Sequence, residues 1–131
     1  MEEVSVEWEG EGLQFTGHRG DHVTPIDGSA ETGPNPVALL LESTGACMAI
    51  DVVDILKKGR QDLRGLSLRV LARRMDDPPR YVKWIRFEFE VSGDVEEAKA
   101  ERAVQLSFDK YCSVFHSLRT DLEVESDITF A

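Results

Sequence analysis

Cysteine is scarce in this chain: Cys47 and Cys112 are the only two, too few for a disulfide scaffold. They form no CxxC pair, so chemistry between them depends on the fold bringing them together. Positive charge is also short, with 15 Lys and Arg against 25 Asp and Glu, a formal net charge of -10 and a pI near 4.7. Such a surface repels phosphate backbones and anionic headgroups, so neither nucleic acid nor a membrane is expected as a partner. Long apolar runs are missing too. Val37 to Leu41 is the most apolar stretch, and it meets Glu42 well short of the ~18 apolar residues of a membrane span. The acidic, alternating start, Met1 to Gly12, has neither the basic flank nor the apolar run of a signal peptide, which predicts a soluble cytoplasmic protein. At 131 residues, 41% of them hydrophobic, the chain is expected to form a single domain, 1–131, around one core.

Alternation governs the opening. Val4, Val6 and Trp8 share one face and Ser5, Glu7 and Glu9 the other, the period of a half-buried strand. Gly10-Glu11-Gly12 reads as a turn, Leu13 and Phe15 continue the pattern, and 22–26 gives a third strand with Pro25 favouring an edge. Residues 27–34 read as a loop. Asn35 is a good N-cap, Pro36 suits the first helical position, and Gly59 after Lys57 and Lys58 is a stop, giving a helix of about 23 residues, ~34 Å long. Leu40, Leu41, Thr44, Met48, Val52, Ile55 and Leu56 form its wide apolar stripe. Ser43, Gly45, Ala46 and Ala49 thin its middle into a waist that another helix can approach closely.

Two strands follow, 66–75 and 80–91, each with one apolar and one polar face, joined through Asp76-Asp77-Pro78-Pro79 as a hairpin. Asp94 with Glu97 resembles a capping box for a second helix, whose apolar spacing breaks near Cys112. Alternation from Leu122 to Phe130 predicts a last strand. The order βββ-α-ββ-α-β indicates an α+β domain with helices packed on antiparallel sheet.

On residues alone Cys47 has two readings, a small buried hydrophobe or a reactive thiol. Asp51, four residues on, lies near its face, and a carboxylate there opposes thiolate formation. In a continuous helix His116 would share the face of Cys112, as its base or as a second metal ligand; two ligands do not make a zinc site, so no metal is expected. His18, Arg19 and His22 cluster in a Gly-flanked turn. Arg19 is the only Lys or Arg before Lys57 and is thus a natural partner for an anion or thiolate.

Taken in order, Gly33-Pro34-Asn35-Pro36, Ser43-Thr44-Gly45-Ala46-Cys47, Leu56-Lys57-Lys58-Gly59 and Lys110-Tyr111-Cys112-Ser113-Val114 resemble the osmotically inducible and organic hydroperoxide resistance family, OsmC/Ohr, across nearly the whole chain. The resemblance implies an OsmC-like fold, an intertwined homodimer whose sheets wrap around paired long helices. It implies thiol-dependent reduction of organic hydroperoxides, with Cys47 attacking the peroxide, Cys112 resolving the sulfenic acid and Arg19 stabilising the thiolate. A dithiol reductant closes that cycle, and no cofactor is required. Family peroxidases usually carry an acidic residue right after the Asn-Pro, and this chain has Val37 there. The alternative is a non-peroxidatic OsmC-like binding protein or thiol redox sensor, holding a small hydrophobic ligand in a groove at the dimer interface.

Overall fold

The structure, a computed structural model, describes residues 1–131. It has two compact units, Met1–Leu40 and Leu41–Ala131, and the division falls inside the long helix. The order of elements is the expected one, βββ-α-ββ-α-β.

In the N-terminal unit β1 (Ser5–Trp8), β2 (Gln14–Arg19) and β3 (His22–Asp27) form an antiparallel meander in that order, so Pro25 does sit on an edge strand. Asp27 ends it. Its buried carboxylate accepts hydrogen bonds from the Ser29 and Thr32 N–H groups at 2.8 and 3.0 Å and from the Thr32 hydroxyl at 2.9 Å, which ties down the following loop. Those donors, the Ser29 N–H first, hold the Asp27 carboxyl below its ordinary range.

The long helix α1 runs Pro36–Lys58. Asn35 caps it as expected, its side-chain oxygen accepting from the Ala38 N–H at 2.8 Å. At the other end the left-handed residue is Arg60, at φ 58°, one position beyond the expected stop. There the Gln61 N–H reaches back to the Leu56 carbonyl, closing the helix in the manner of a Schellman cap. Met48, Val52 and Leu56 are buried from α1 against Ile85, Phe87 and Phe89, with Ala103 and Val104 completing the core.

The waist does not act as one surface. Gly45 is buried under a strand, where an added Cβ would come within 2.8 Å of Val70 and 3.4 Å of Leu68, while Ser43, Ala46 and Ile50 are exposed. At 100° per residue Gly45 and Ser43 point roughly 200° apart, so they cannot serve one contact. Gly45 therefore lets α1 settle on its own sheet, and of the waist residues only Ser43 and Ala46 face outward.

That sheet is built from β4 (Asp62–Arg74), β5 (Val82–Asp94) and β6 (Glu123–Phe130). β4 and β5 form the expected hairpin, extended at both far ends, with Ile85, Phe87, Phe89 and Val91 buried on one face. β6 departs from the all-antiparallel expectation: it pairs parallel with β5, from Trp84 opposite Glu123 to Val91 opposite Phe130, so the sheet is mixed. The reason lies in the intervening helix, which carries the chain back to the start of β5 before β6 begins. That helix, α2, runs Glu97–Leu106. No capping box starts it, because Asp94 is still in β5; the Glu96 N–H donates instead to Gln61 Oε1 at 2.9 Å.

Candidate functional site

Cys47 lies half-buried in the middle of α1, and Asp51 follows one turn later on the same side. The second cysteine arrives by an irregular route. After Leu106 the helix widens into a π-helical turn, Ser107–Tyr111, in which the Cys112 N–H donates to the Ser107 carbonyl at 2.9 Å. Such turns recur at functional sites because the extra residue re-aims the side chains that follow. Cys112 then leaves the helix at φ -75°, ψ 97°, fully buried, and a short 3₁₀ turn, Phe115–Ser117, comes after. The break expected near Cys112 is thus present.

Through this geometry Cys47 Sγ, Cys112 Sγ and a carboxylate oxygen of Asp51 all lie within 4.8 Å of one another. Closing the sulfurs from at most that separation to the ~2.0 Å of a disulfide is a local adjustment. Around the pair, the Phe115 N–H donates to Cys112 Sγ at 3.3 Å, and Ser113 Oγ is 4.0 Å from Cys47 Sγ. The fully buried Ser107 hydroxyl donates to Asp51 Oδ2 at 2.8 Å and fixes that carboxylate. Cys112 belongs to the buried apolar core, and Cys47 packs against that core.

Burial pushes the Cys112 thiol up to about 12, helped by the Cys47 thiol and the charge of Asp51 and opposed by the Phe115 N–H. Because its folded value lies above the ordinary 9.0, the unfolded chain loses this proton first as pH rises. Stability of the reduced protein should hold below that ordinary value and decline from there towards about 12. Urea midpoints of the reduced wild type and of Cys112→Ala, measured at about pH 8 and about pH 10.5, check this: the fall should be smaller in the variant. Equal falls would show that Cys112 titrates alike in both states.

Arg19 ends β2 in the N-terminal unit, exposed, with its guanidinium 3.3 Å from Glu2. His22 is its cross-strand neighbour, and His18 lies 3.9 Å from Glu7. His116 is not aligned with Cys112, because the helix is not continuous; its Nε2 lies 2.7 Å from the Phe108 carbonyl. Ser107 and Ser113 were not anticipated, as single serines in a helical pattern carry no signal. The sequence signals Asp51 only as a carboxylate that opposes thiolate formation.

These features define an α+β protein that draws two cysteines, one from a helix and one from the extended residue that follows another, into one small cluster. The chain belongs to the OsmC-like protein family, whose model matches residues 27–127. It is 41% identical over 115 residues to protein YhfA of Escherichia coli K12, a match spanning 86% of this chain and 85% of that protein. A crystal structure of a hypothetical protein from Aquifex aeolicus is 32% identical, with a TM-score of 0.87 over 100% of this chain and 98% of its own. The organic hydroperoxide resistance protein OhrB of Bacillus subtilis shares the fold at 19% identity, with a TM-score of 0.66 over 97% of this chain and 98% of its own. No helix in the chain is long and apolar enough to cross a membrane.

Proposed function

We propose that this chain is a thiol-dependent reductase of organic hydroperoxides, serving oxidative stress defence in the cytoplasm. The observation that carries this reading is the approach of Cys47 and Cys112 to within 4.8 Å from different elements. The Cys47 thiolate attacks the distal peroxide oxygen, the O–O bond breaks, and the alkoxide takes a proton and leaves as an alcohol. Cys47 is left as a sulfenic acid. The Cys112 sulfur then attacks that sulfur, hydroxide leaves as water with the Cys112 proton, and a disulfide forms. An external dithiol reduces it by exchange and restores both thiols. Arg19 assists as the thiolate-stabilising cation, on the strength of its being the only Lys or Arg before Lys57.

The whole chain acts as one domain of an intertwined homodimer in this reading. Support comes from apolar side chains left uncovered on the N-terminal sheet, with Val6 62%, Trp8 59% and Val23 63% exposed, and from Ile50, 67% exposed on α1. The test is oxidation of the reduced protein by cumene hydroperoxide and, separately, by hydrogen peroxide, followed by mass. Rapid loss of two hydrogens, faster with the organic peroxide, is the expected result; absent or sluggish oxidation sinks the reading.

A second reading has its own observations. Val37 stands where family peroxidases place an acidic residue, and the N-terminal unit holds an apolar cavity of about 450 Å³ lined by Val6, Leu13, Phe15, Ile26, Pro36 and Leu39. A binding protein for small hydrophobic ligands would use such a cavity while its thiols oxidise slowly or not at all.

A further inference from the structure

The thiol pair carries a third group that the peroxide chemistry leaves without a role. Asp51 places a carboxylate oxygen within 4.8 Å of both sulfurs, and it is half-buried, not a solvated surface acid. We propose that the reduced site takes one divalent cation of the zinc class, with Cys47, Asp51 and Cys112 as its ligands.

Geometry permits it. For three atoms no more than 4.8 Å apart, some point lies within roughly 2.8 Å of all three, against the ~2.0–2.3 Å of zinc bonds to oxygen and sulfur. Each ligand has to close by about half an ångström, within reach of rotamer adjustment on α1 and in the extended segment at Cys112. The donor set selects the ion: two sulfurs with one oxygen suit a borderline-soft cation such as zinc, whereas calcium and magnesium prefer all-oxygen shells.

The supporting shell is also in place. The buried Ser107 hydroxyl donates to Asp51 Oδ2 at 2.8 Å and so orients the carboxylate, as outer-shell donors do for metal ligands. His116, the ligand that sequence suggests beside Cys112, is engaged with the Phe108 carbonyl and lies outside the cluster. The absent third ligand of the sequence reading is therefore Asp51, one turn along α1 from Cys47. Three protein ligands leave a fourth position for water. On binding, both thiols release their protons to solvent and the sulfur lone pairs are engaged, so ion and disulfide exclude each other. The ion thereby holds the dithiol reduced.

This inference does not depend on peroxidase activity, since it is read by counting metal on the full chain. Reduced protein is equilibrated with zinc, desalted and assayed for retained metal, and cobalt(II) is used in parallel for its thiolate charge-transfer absorption. One zinc per chain, the cobalt band, and no retention by the disulfide form are expected. Asp51→Asn should weaken zinc binding by at least roughly tenfold, and Ser107→Ala by about 10–100-fold. Absence of retained zinc in the wild type, or wild-type affinity in folded Asp51→Asn, overturns the proposal. Should Asp51→Asn fail to fold, Ser107→Ala decides by the same criterion.

Discussion

Replacing Cys47 with serine should abolish hydroperoxide turnover, whereas Cys112→Ser should consume about one equivalent of peroxide per chain and then stall. The asymmetry follows from burial. Cys47 is half-buried and reaches its surroundings from the middle of α1, while Cys112 is fully buried behind it and held protonated by desolvation. An incoming peroxide meets the accessible thiol first, and the buried one acts only after its neighbour has become an electrophilic sulfenic acid. In Cys112→Ser that acid has no sulfur partner, so it persists or climbs to sulfinic acid. Serine is a fair isostere here, because the Phe115 N–H that donates to Cys112 Sγ at 3.3 Å can donate to a hydroxyl. Mass spectrometry of both variants after a peroxide pulse without reductant reads the oxidation state reached, and peroxide consumption with a dithiol reductant present reads turnover. Sustained turnover by Cys47→Ser, or a disulfide-independent cycle in Cys112→Ser, would falsify the assignment of roles.

Much of this architecture was legible because it is written in periodicities. The period of two in Val4 to Glu9 and in Ile85 to Val91 gave strands, and the Asn35-Pro36 start with its stripe to Leu56 gave α1. Chain reversals and closures were harder to read. Nothing local says that β6 runs parallel to β5, since strand direction depends on how far the α2 connection travels. Gly45 read as half of an outward waist because small residues look alike in sequence; only the proximity of Val70 reveals which neighbour needs the space.

The candidate site was legible in part. Both cysteines and the broken spacing near Cys112 are visible in the sequence, but a break in spacing does not say what geometry replaces the helix. In the structure the π-helical turn sets Ser107 on Asp51 and turns Cys112 inward towards Cys47. A continuous helix would have aligned His116 with Cys112 instead. Asp51 is legible only through its charge, which does raise a neighbouring thiol, that of Cys112; the Ser107 hydroxyl that binds it comes from a distant element and leaves no local signal.

The segment that presents Cys112 rests on aromatic packing, which leads to the largest expected loss of stability. Phe87, fully buried on β5, meets Phe108 edge-to-face at 5.5 Å and Phe115 at 6.3 Å, and those two rings meet each other at 5.1 Å. Phe108 belongs to the π-helical turn and Phe115 to the 3₁₀ turn, so the rings clamp the chain on both sides of Cys112. Phe87→Ala should cost about 3–5 kcal/mol, from lost burial together with the cavity left behind. Against a typical domain stability of ~5–15 kcal/mol this is a large share, and urea denaturation should show it clearly. Phe87→Leu fills most of the space and should recover a good part. Under conditions where Phe87→Ala is still folded, its Cys47 should oxidise at close to the wild-type rate while the disulfide forms more slowly, because only the presentation of Cys112 is loosened. A variant that lost stability but closed the disulfide at the wild-type rate would show that the π-helical turn keeps its shape without the aromatic clamp.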